Sequence, residues 1–502
     1  MLSQRKSGVL LGYVNIIAKN LINLVYTPML LSFVGQAEYG VYQSSYSFVF
    51  SLTVLSLGFS QAYVRFFAKE RLTGSDEGVR RLNGVYLIMY IITSLMALVI
   101  GLVLASNAGM FFSAGFTEDQ KTLATVVMAI MSVAIAATLF NTVFDSYILV
   151  LEEFRFQQTC QLITALMTPF LALALLLGGA GVIGVALAQM SINIVLLAMN
   201  GFYCVQRKGM RFDIRHFDGK LFRDIAIFSV WIFANEICNI VNQNVPNVLL
   251  GALTNASAVA VFAIAVQIRN VFASLSTAMS NVFRPEVNRI VVESDDNREL
   301  TGLMTRIGRY QLVVVCWVFG GFVLLGQFFI DRWAGAGFGD AYWLILAMLA
   351  ANLAPMVQTV GIEIQRAKNM HRTRSIAMLI SAAGNVALTV ALAPSLGYWA
   401  PVVGYCASVA LCNGVFMNWY YQFRVGIDMG AYWKRCLPVI AWTVIASVIA
   451  GIGIAAFPVT SWLVFLAWGL VYSALFAMAM WLFVLDGSER KAIAHALRGG
   501  RK

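Results

Sequence analysis

Apolar residues run along this chain in long blocks, separated by short polar or glycine- and proline-bearing segments. A block of about 20 apolar residues makes a helix long enough to cross the roughly 30 Å hydrocarbon core of a bilayer. Taken block by block, the pattern predicts fourteen such helices, at residues 8–34, 39–68, 82–105, 120–147, 158–178, 181–206, 224–251, 257–284, 307–331, 339–364, 374–393, 399–424, 434–457 and 460–485. Turn-forming groups at Gly178 to Gly181, Thr254 to Ser257, Pro394 to Gly397 and Phe457 to Thr460 mark boundaries between them. The fold class expected is an all-α polytopic membrane protein.

Some blocks are apolar all round and others carry polar stripes. The last two helices, Leu437 to Phe457 and Trp462 to Leu485, are apolar on every face, as lipid-facing helices should be. The first carries Asn15, Lys19, Asn23 and Thr27 at four-residue spacing, with Asn20 beside them. The seventh carries Asn235, Asn239, Asn242 and Gln243 on one side, together with Glu236 and Asn247. The eighth carries Arg269, Asn270, Ser274, Thr277, Asn281 and Arg284. Inside a membrane such stripes face a bundle interior or water. Amides and hydroxyls alone are equally explained by interhelical hydrogen bonds. Charges in the same stripes favour a solvated cavity.

Three of these charges lie far from a helix end. Lys19 is about 15 Å into the first helix at 1.5 Å per residue. Arg269 and Glu236 sit near the middle of theirs. Each would cost at least about 2.5–3.5 kcal/mol facing lipid. Pairing of Glu236 with Lys19 or Arg269 would offset part of that. Two cations against one acid leave a positive surplus, which suits an anion: guanidinium grips phosphate oxygens in a fork and ammonium acts as a point charge. The competing reading is a buried ion network that fixes helix packing. Arg65 and Arg284, at the inner ends of helices 2 and 8, either anchor at lipid headgroups or draw an anion into an inward-open mouth. Asp145 and Glu363, near the inner ends of helices 4 and 10, are candidates for gating or ion coupling. Pro28, Pro169, Pro246 and Pro355 are expected to kink their helices.

Composition agrees with the pattern. The 502 residues are 60% hydrophobic and 12% charged, against roughly 25% charged in soluble domains, and mean hydropathy is +0.77. No polar stretch is long enough for a separate soluble domain. Arg5 and Lys6 lead into a long helix with no small-residue cleavage site, so no cleavable signal is expected.

The net charge of +11 raises nucleic-acid binding. Its distribution gives another explanation. With the amino end inside, 30 of the 35 Lys and Arg fall on inner segments and only Lys121 and Arg332 on outer ones. This is the positive-inside pattern, and it places both termini in the cytoplasm. Partnership with nucleic acid is therefore not expected. Trp333, Trp343, Trp399, Trp433 and Trp462 lie near span ends, where an interfacial aromatic belt accounts for them.

No catalytic constellation stands out. The three His (His216, His371, His495) fall in inner loops, and the seven Cys have neither metal-ligand spacing nor an extracellular disulfide pattern. Neither enzymatic activity, a bound metal nor a cofactor is expected.

A weak internal repeat supports two halves. Pro28 to Ser32 is similar to Pro246 to Leu250, and Ser60 to Arg65 is similar to Ser280 to Arg284. The expected layout is a first six-helix half at 1–206, a basic cytoplasmic linker at 207–223, a second half at 224–424, two additional helices at 425–485 and a basic cytoplasmic tail at 486–502. Parallel repeats place a substrate site between halves near the midplane.

The polar first helix, the turn Val34 to Tyr42 with its Glu38-Tyr39-Gly40, the stretch Leu57 to Arg65 and the charged segment after it resemble the bacterial polysaccharide (oligosaccharide-lipid) flippases. These belong to the multidrug/oligosaccharidyl-lipid/polysaccharide (MOP) exporter superfamily. The resemblance extends over nearly the whole chain. It implies a central cavity lined chiefly by helices 1, 2, 7 and 8, and alternating access. It implies that an undecaprenyl-pyrophosphate-linked oligosaccharide is turned from the cytoplasmic to the outer leaflet of the bacterial cytoplasmic membrane, for cell-surface polysaccharide. By the same resemblance, Lys19 and Arg269 match cavity cations that hold the pyrophosphate. The expected substrate-binding set is Lys19, Arg269, Arg65, Arg284, Asn15, Asn23, Asn239 and Asn270. Glu236, Asp145 and Glu363 are the ion-coupling or gating candidates, for a proton or sodium gradient. Expected partners are the lipid-linked substrate, membrane lipids and, through the basic inner loops, polysaccharide-synthesis enzymes.

Rival readings are a lipid II flippase, which the same cations would serve, and a multidrug antiporter, which needs an acidic cavity. A membrane polymerase or ligase needs a large outer loop with catalytic residues, and every predicted outer loop is short.

Overall fold

The structure is a computed structural model. It describes residues 2–490 apart from 57, 73–75, 113–114, 215–217, 282, 294–295, 369 and 488. Side chains of residues 2–10, 13, 230–232, 234–236, 238–243, 275, 277–281, 284–285, 292 and 371 also lie outside the description. Among the described residues there are helices and no β-strand.

In chain order the α-helices are α1 (Leu2–Phe50), α2 (Phe59–Leu72), α3 (Asp76–Ser106), α4 (Ala108–Phe111), α5 (Glu118–Val150), α6 (Phe154–Leu177), α7 (Gly181–Phe202), α8 (Gly219–Leu253) and α9 (Ala256–Asn281). Then come α10 (Arg284–Glu293), α11 (Asn297–Trp333), α12 (Ala341–Val357), α13 (Thr359–Ala367), α14 (His371–Leu396), α15 (Trp399–Val409), α16 (Met417–Tyr420), α17 (Met429–Ala456) and α18 (Trp462–Ala479). The chain packs as two compact units. One is Met1–Ala263 with Ala382–Pro401, and the other is Ile264–Ser381 with Val402–Lys502.

Among the described residues, eleven helical stretches are long and apolar enough to cross a membrane, or twelve if the bent pair α12–α13 is one span. The count of fourteen is not reached, for two visible reasons. The first two predicted spans fall within one stretch, Val14–Leu72. The middle of the seventh predicted span falls where α8 side chains are outside the description, leaving Asn244–Leu253 as a shorter apolar helix.

In the first unit, α1 is two helices that meet at a kink inside the predicted turn at Val34 to Tyr42: Gly35 leaves helical geometry, at φ 73° and ψ 176°, and helix resumes after it to Phe50. That conformation is essentially restricted to glycine. After Phe50 the chain tightens into a 3₁₀ stretch, Ser51–Ser56, before α2. The Tyr86 hydroxyl of α3 donates to the Phe59 carbonyl at 2.9 Å and so satisfies a backbone group at this joint.

Small residues let α1 approach α8 and the start of α9. A Cβ on Gly40 would collide with the Ala256 carbonyl, and one on Gly251 would come within 3.2 Å of Ser44 Cβ. One turn further on, Asn247 Nδ2 of α8 donates to Ser47 Oγ at 3.1 Å. Close packing of small residues with an added polar bond is how helices associate in lipid, where no hydrophobic drive exists between them.

The basic segment after α7 packs back onto α3. Asp213 N donates to the Arg80 carbonyl at 3.0 Å, and Asn83 Nδ2 donates to the Arg211 carbonyl at 3.0 Å. Lys208 forms an ion pair with Glu153, whose carboxylate holds the ammonium above its ordinary pKa.

In the second unit, the helical path breaks at Gln358, between α12 and α13, with a bend of 41°. Pro355 lies three residues before the break. Its missing N–H and its ring weaken the preceding turn, which is the physical reason for a bend there. Pro28, Pro169 and Pro246 lie inside α1, α6 and α8. Backbone carbonyls freed at the break are satisfied by side chains. Tyr432 of α17 donates to the Val357 carbonyl at 2.8 Å, and Ser276 of α9 donates to the Met356 carbonyl.

Candidate functional site: membrane-embedded cations

Among the described residues, Arg269 is the most enclosed of the expected cations, with 7% of its surface exposed. It lies midway along α9, within the second unit. Its guanidinium carbon sits 4.7 Å from the centroid of the Tyr405 ring of α15. Nη2 donates to the Asn270 amide oxygen at 3.0 Å. Tyr405 is itself held, because its hydroxyl exchanges hydrogen bonds of 2.6 and 2.9 Å with the Asn352 amide of α12. Asn352 in turn donates to the Met348 carbonyl at 2.9 Å. The guanidinium is thus laid on an aromatic face whose position is fixed from the next helix.

Among the described residues no carboxylate forms an ion pair with Arg269, Lys19 or Arg65. A cation–π contact supplies about 0.5–2 kcal/mol, less than a full counter-charge. The expected Glu236 pairing lies outside the described side chains.

Lys19 lies in the first unit on α1 and is exposed, flanked along the helix by exposed Ile17 and Leu21. Its predicted stripe divides between two environments. Asn15 is 3% exposed, and its amide donates to Gln158 of α6 at both the backbone carbonyl (2.8 Å) and Oε1 (2.7 Å). Thr27 is buried and Asn23 exposed. Asn15 thus ties α1 to α6, while Lys19 and Asn23 are reachable.

Arg65 is exposed on α2, with its guanidinium carbon 4.5 Å from the Phe228 ring centroid. Asn270 serves as the acceptor beside Arg269. The side chains of Arg284 and Asn239 lie outside the described residues. Asp145, on α5, accepts hydrogen bonds from Asn141 (3.1 Å) and from Asn200 of α7 (3.0 Å). Glu363 pairs with Arg366 at 2.9 Å on its own helix. Tyr405 and Asn352 were not singled out from sequence: one aromatic or amide within an apolar block has no periodic signature.

Comparison with known proteins agrees with this architecture. The family model described as "Polysaccharide biosynthesis protein" matches residues 6–290, more than half of the chain, and the protein belongs to that family. It is 21% identical over 490 residues, 94% of either chain, to the "Uncharacterized membrane protein EpsK" of Bacillus subtilis (strain 168). Its fold is similar to that of "Lipid II flippase MurJ, inward closed conformation", with a TM-score of 0.74, 13% identity and coverage of 98% of this chain and 99% of that one. It is also similar to an inward-facing multidrug resistance MATE family transporter of the MOP superfamily, with a TM-score of 0.63, 14% identity and coverage of 84% and 96%. Family, relative and fold together describe a multi-pass helical membrane protein of a polysaccharide biosynthesis family.

Proposed function

We propose that this protein is a flippase for an undecaprenyl-pyrophosphate-linked oligosaccharide, carrying its headgroup from the cytoplasmic to the outer leaflet by alternating access. The observation that carries this reading is Arg269: an enclosed guanidinium on a membrane helix, laid on Tyr405, with no carboxylate paired to it among the described residues. A pyrophosphate supplies the missing counter-charge, and a guanidinium fork matches its oxygens. Membership of a polysaccharide biosynthesis family fits a glycan-bearing substrate.

In this reading Arg269 binds the pyrophosphate. Transport requires that the site bind more weakly in the outward state than in the inward one, since equal affinity shifts no population. Both chain termini lie in the cytoplasm, as the basic residues indicate. A proton or sodium gradient supplies the drive.

The deciding experiment assigns lipid-linked oligosaccharide to a leaflet in cells depleted of this protein. Wild type, Lys19→Ala or Arg269→Ala is then restored. The expected result is inner-leaflet accumulation that wild type relieves and Arg269→Ala does not. No accumulation on depletion overturns the flippase reading. Relief by Arg269→Ala overturns the assignment of its site.

A further inference from the structure

A second charged site lies in the Ile264–Ser381 and Val402–Lys502 unit, built from residues other than those around Arg269. A cleft of about 990 Å³ opens among the first turns of α11, the start of α17 and the segment Asp486 to Glu489. Its volume falls at the upper end of the roughly 300–1,000 Å³ typical of small-molecule sites.

Four arginines line it: Arg298, Arg306, Arg309 and Arg435. They are not equivalent. Arg309 is buried, donates Nη2 to the Val484 carbonyl at 2.8 Å, and pairs with both Asp486 and Glu489 at 3.2 Å. Its charge is spent on fastening that segment, which becomes one wall. Arg306 is exposed and pairs with Glu286 at 3.1 Å. Arg298 and Arg435 are exposed, and no ion pair among the described residues involves either.

The carboxylates in the wall are already engaged. Asp486 and Glu489 face Arg309, and Asp428 Oδ1 accepts from Ala431 N at 2.9 Å as the cap of α17. Two long helices, α11 and α17, begin at the cleft, and helix starts carry partial positive charge. The space beside Gly302 is open, since a Cβ there would meet nothing within 4 Å. Two turns along α17 from Arg435 and on the same face, Trp442 stacks on Phe483, which is 57% exposed.

We propose that this cleft binds a phosphate group on Arg298 and Arg435, and that the group belongs to the headgroup of an anionic phospholipid whose acyl chains run along Trp442 and Phe483. Paired guanidiniums recognise phosphate oxygens. Basic pockets between helices at a membrane surface are where anionic headgroups bind. The alternative source with the same chemistry is free phosphate.

The test uses the full chain purified in detergent. Native mass spectrometry measures binding of phosphatidylglycerol against phosphatidylcholine, with inorganic phosphate as competitor. The variants are Arg298→Gln/Arg435→Gln and, as control, Lys434→Gln, which removes a neighbouring charge that does not line the cleft; melting temperatures confirm folding. The expected result is preference for phosphatidylglycerol, weakened by about tenfold or more in the double variant, as for a lost charge-assisted hydrogen bond. Lys434→Gln should bind as wild type does. Failure of millimolar phosphate to compete assigns the site to lipid, while displacement by phosphate keeps the site and assigns it to the free anion. Equal binding by wild type and the double variant overturns the proposal, as does equal weakening by Lys434→Gln.

Discussion

Tyr432 donates its hydroxyl hydrogen to the Val357 carbonyl at 2.8 Å, and so α17 holds the broken span α12–α13 at its break. The next residue reinforces it. Trp433 Nε1 donates to Asn418 Oδ1 at 2.8 Å, and the same oxygen accepts from Gln358, the break residue, at 2.9 Å. Gly308 of α11 makes room for this arrangement, since a Cβ there would lie 2.6 Å from the Tyr432 hydroxyl. Thus α17 is more than a lipid-facing addition. Removing the hydroxyl in Tyr432→Phe leaves a buried carbonyl unpaired, at a cost of about 1–3 kcal/mol. Thermal unfolding in detergent should show that loss, and Trp433→Phe should show a smaller one because Gln358 still satisfies Asn418.

In the proposed mechanism Arg269 acts through charge and through its planar fork. Arg269→Glu is expected to abolish polysaccharide export while protein remains in the membrane at wild-type level. Arg269→Lys keeps the charge but loses the fork and the stacking on Tyr405, and export should fall about tenfold, as for one charge-assisted hydrogen bond. Export assays with membrane immunoblots check both. Normal export by Arg269→Glu would remove this residue from the mechanism.

Two glycines of α1 have different requirements. Gly35 needs its φ of 73°, so Gly35→Ala is strained by about 1–3 kcal/mol whatever the surrounding space. Gly40 needs room beside Ala256, so Gly40→Val should force the helices apart, at about 1–3 kcal/mol or more. Gly109 of α4 has open space around it, and Gly109→Ala should leave the melting temperature unchanged or slightly raised. A melting series over the three variants checks the order.

Asp145 is held by two amides, from Asn141 and Asn200, both buried. Asp145→Asn can keep hydrogen bonding after an amide turns over. Asp145→Ala leaves both amides without that partner, and should destabilise by about 1–3 kcal/mol more than Asp145→Asn. Unfolding of the pair in detergent measures the difference. Equal stability of the two variants would mean that the amides find other partners.

Helices were legible wherever apolar blocks were long, because spanning length and composition decide them. Ends and joints were less so. The turn expected at Val34 to Tyr42 rested on two glycines and a polar Glu38-Tyr39 pair, yet only Gly35 leaves helical geometry, and Gly40 serves helix contact. The boundary expected at Pro394 to Gly397 is present, with Pro394 in the last turn of α14, the helix ending at Leu396 and Gly397 at φ 53°. Arg269 stood out because a cation in an apolar block is costly. Its support from Tyr405 and Asn352 did not, because that support comes from α12 and α15, distant in sequence. Asn15 shows the reverse error: polar spacing grouped it with Lys19, but packing turned its amide onto Gln158.

The close seating of Gly40 on the Ala256 backbone also bears on how sidedness can be mapped. An epitope or enzyme reporter spliced between Tyr39 and Val41 would enter a helix packed on its neighbour, and its signal would report disruption instead of orientation. Single-cysteine labelling at exposed Glu38 adds no backbone length and leaves that contact whole.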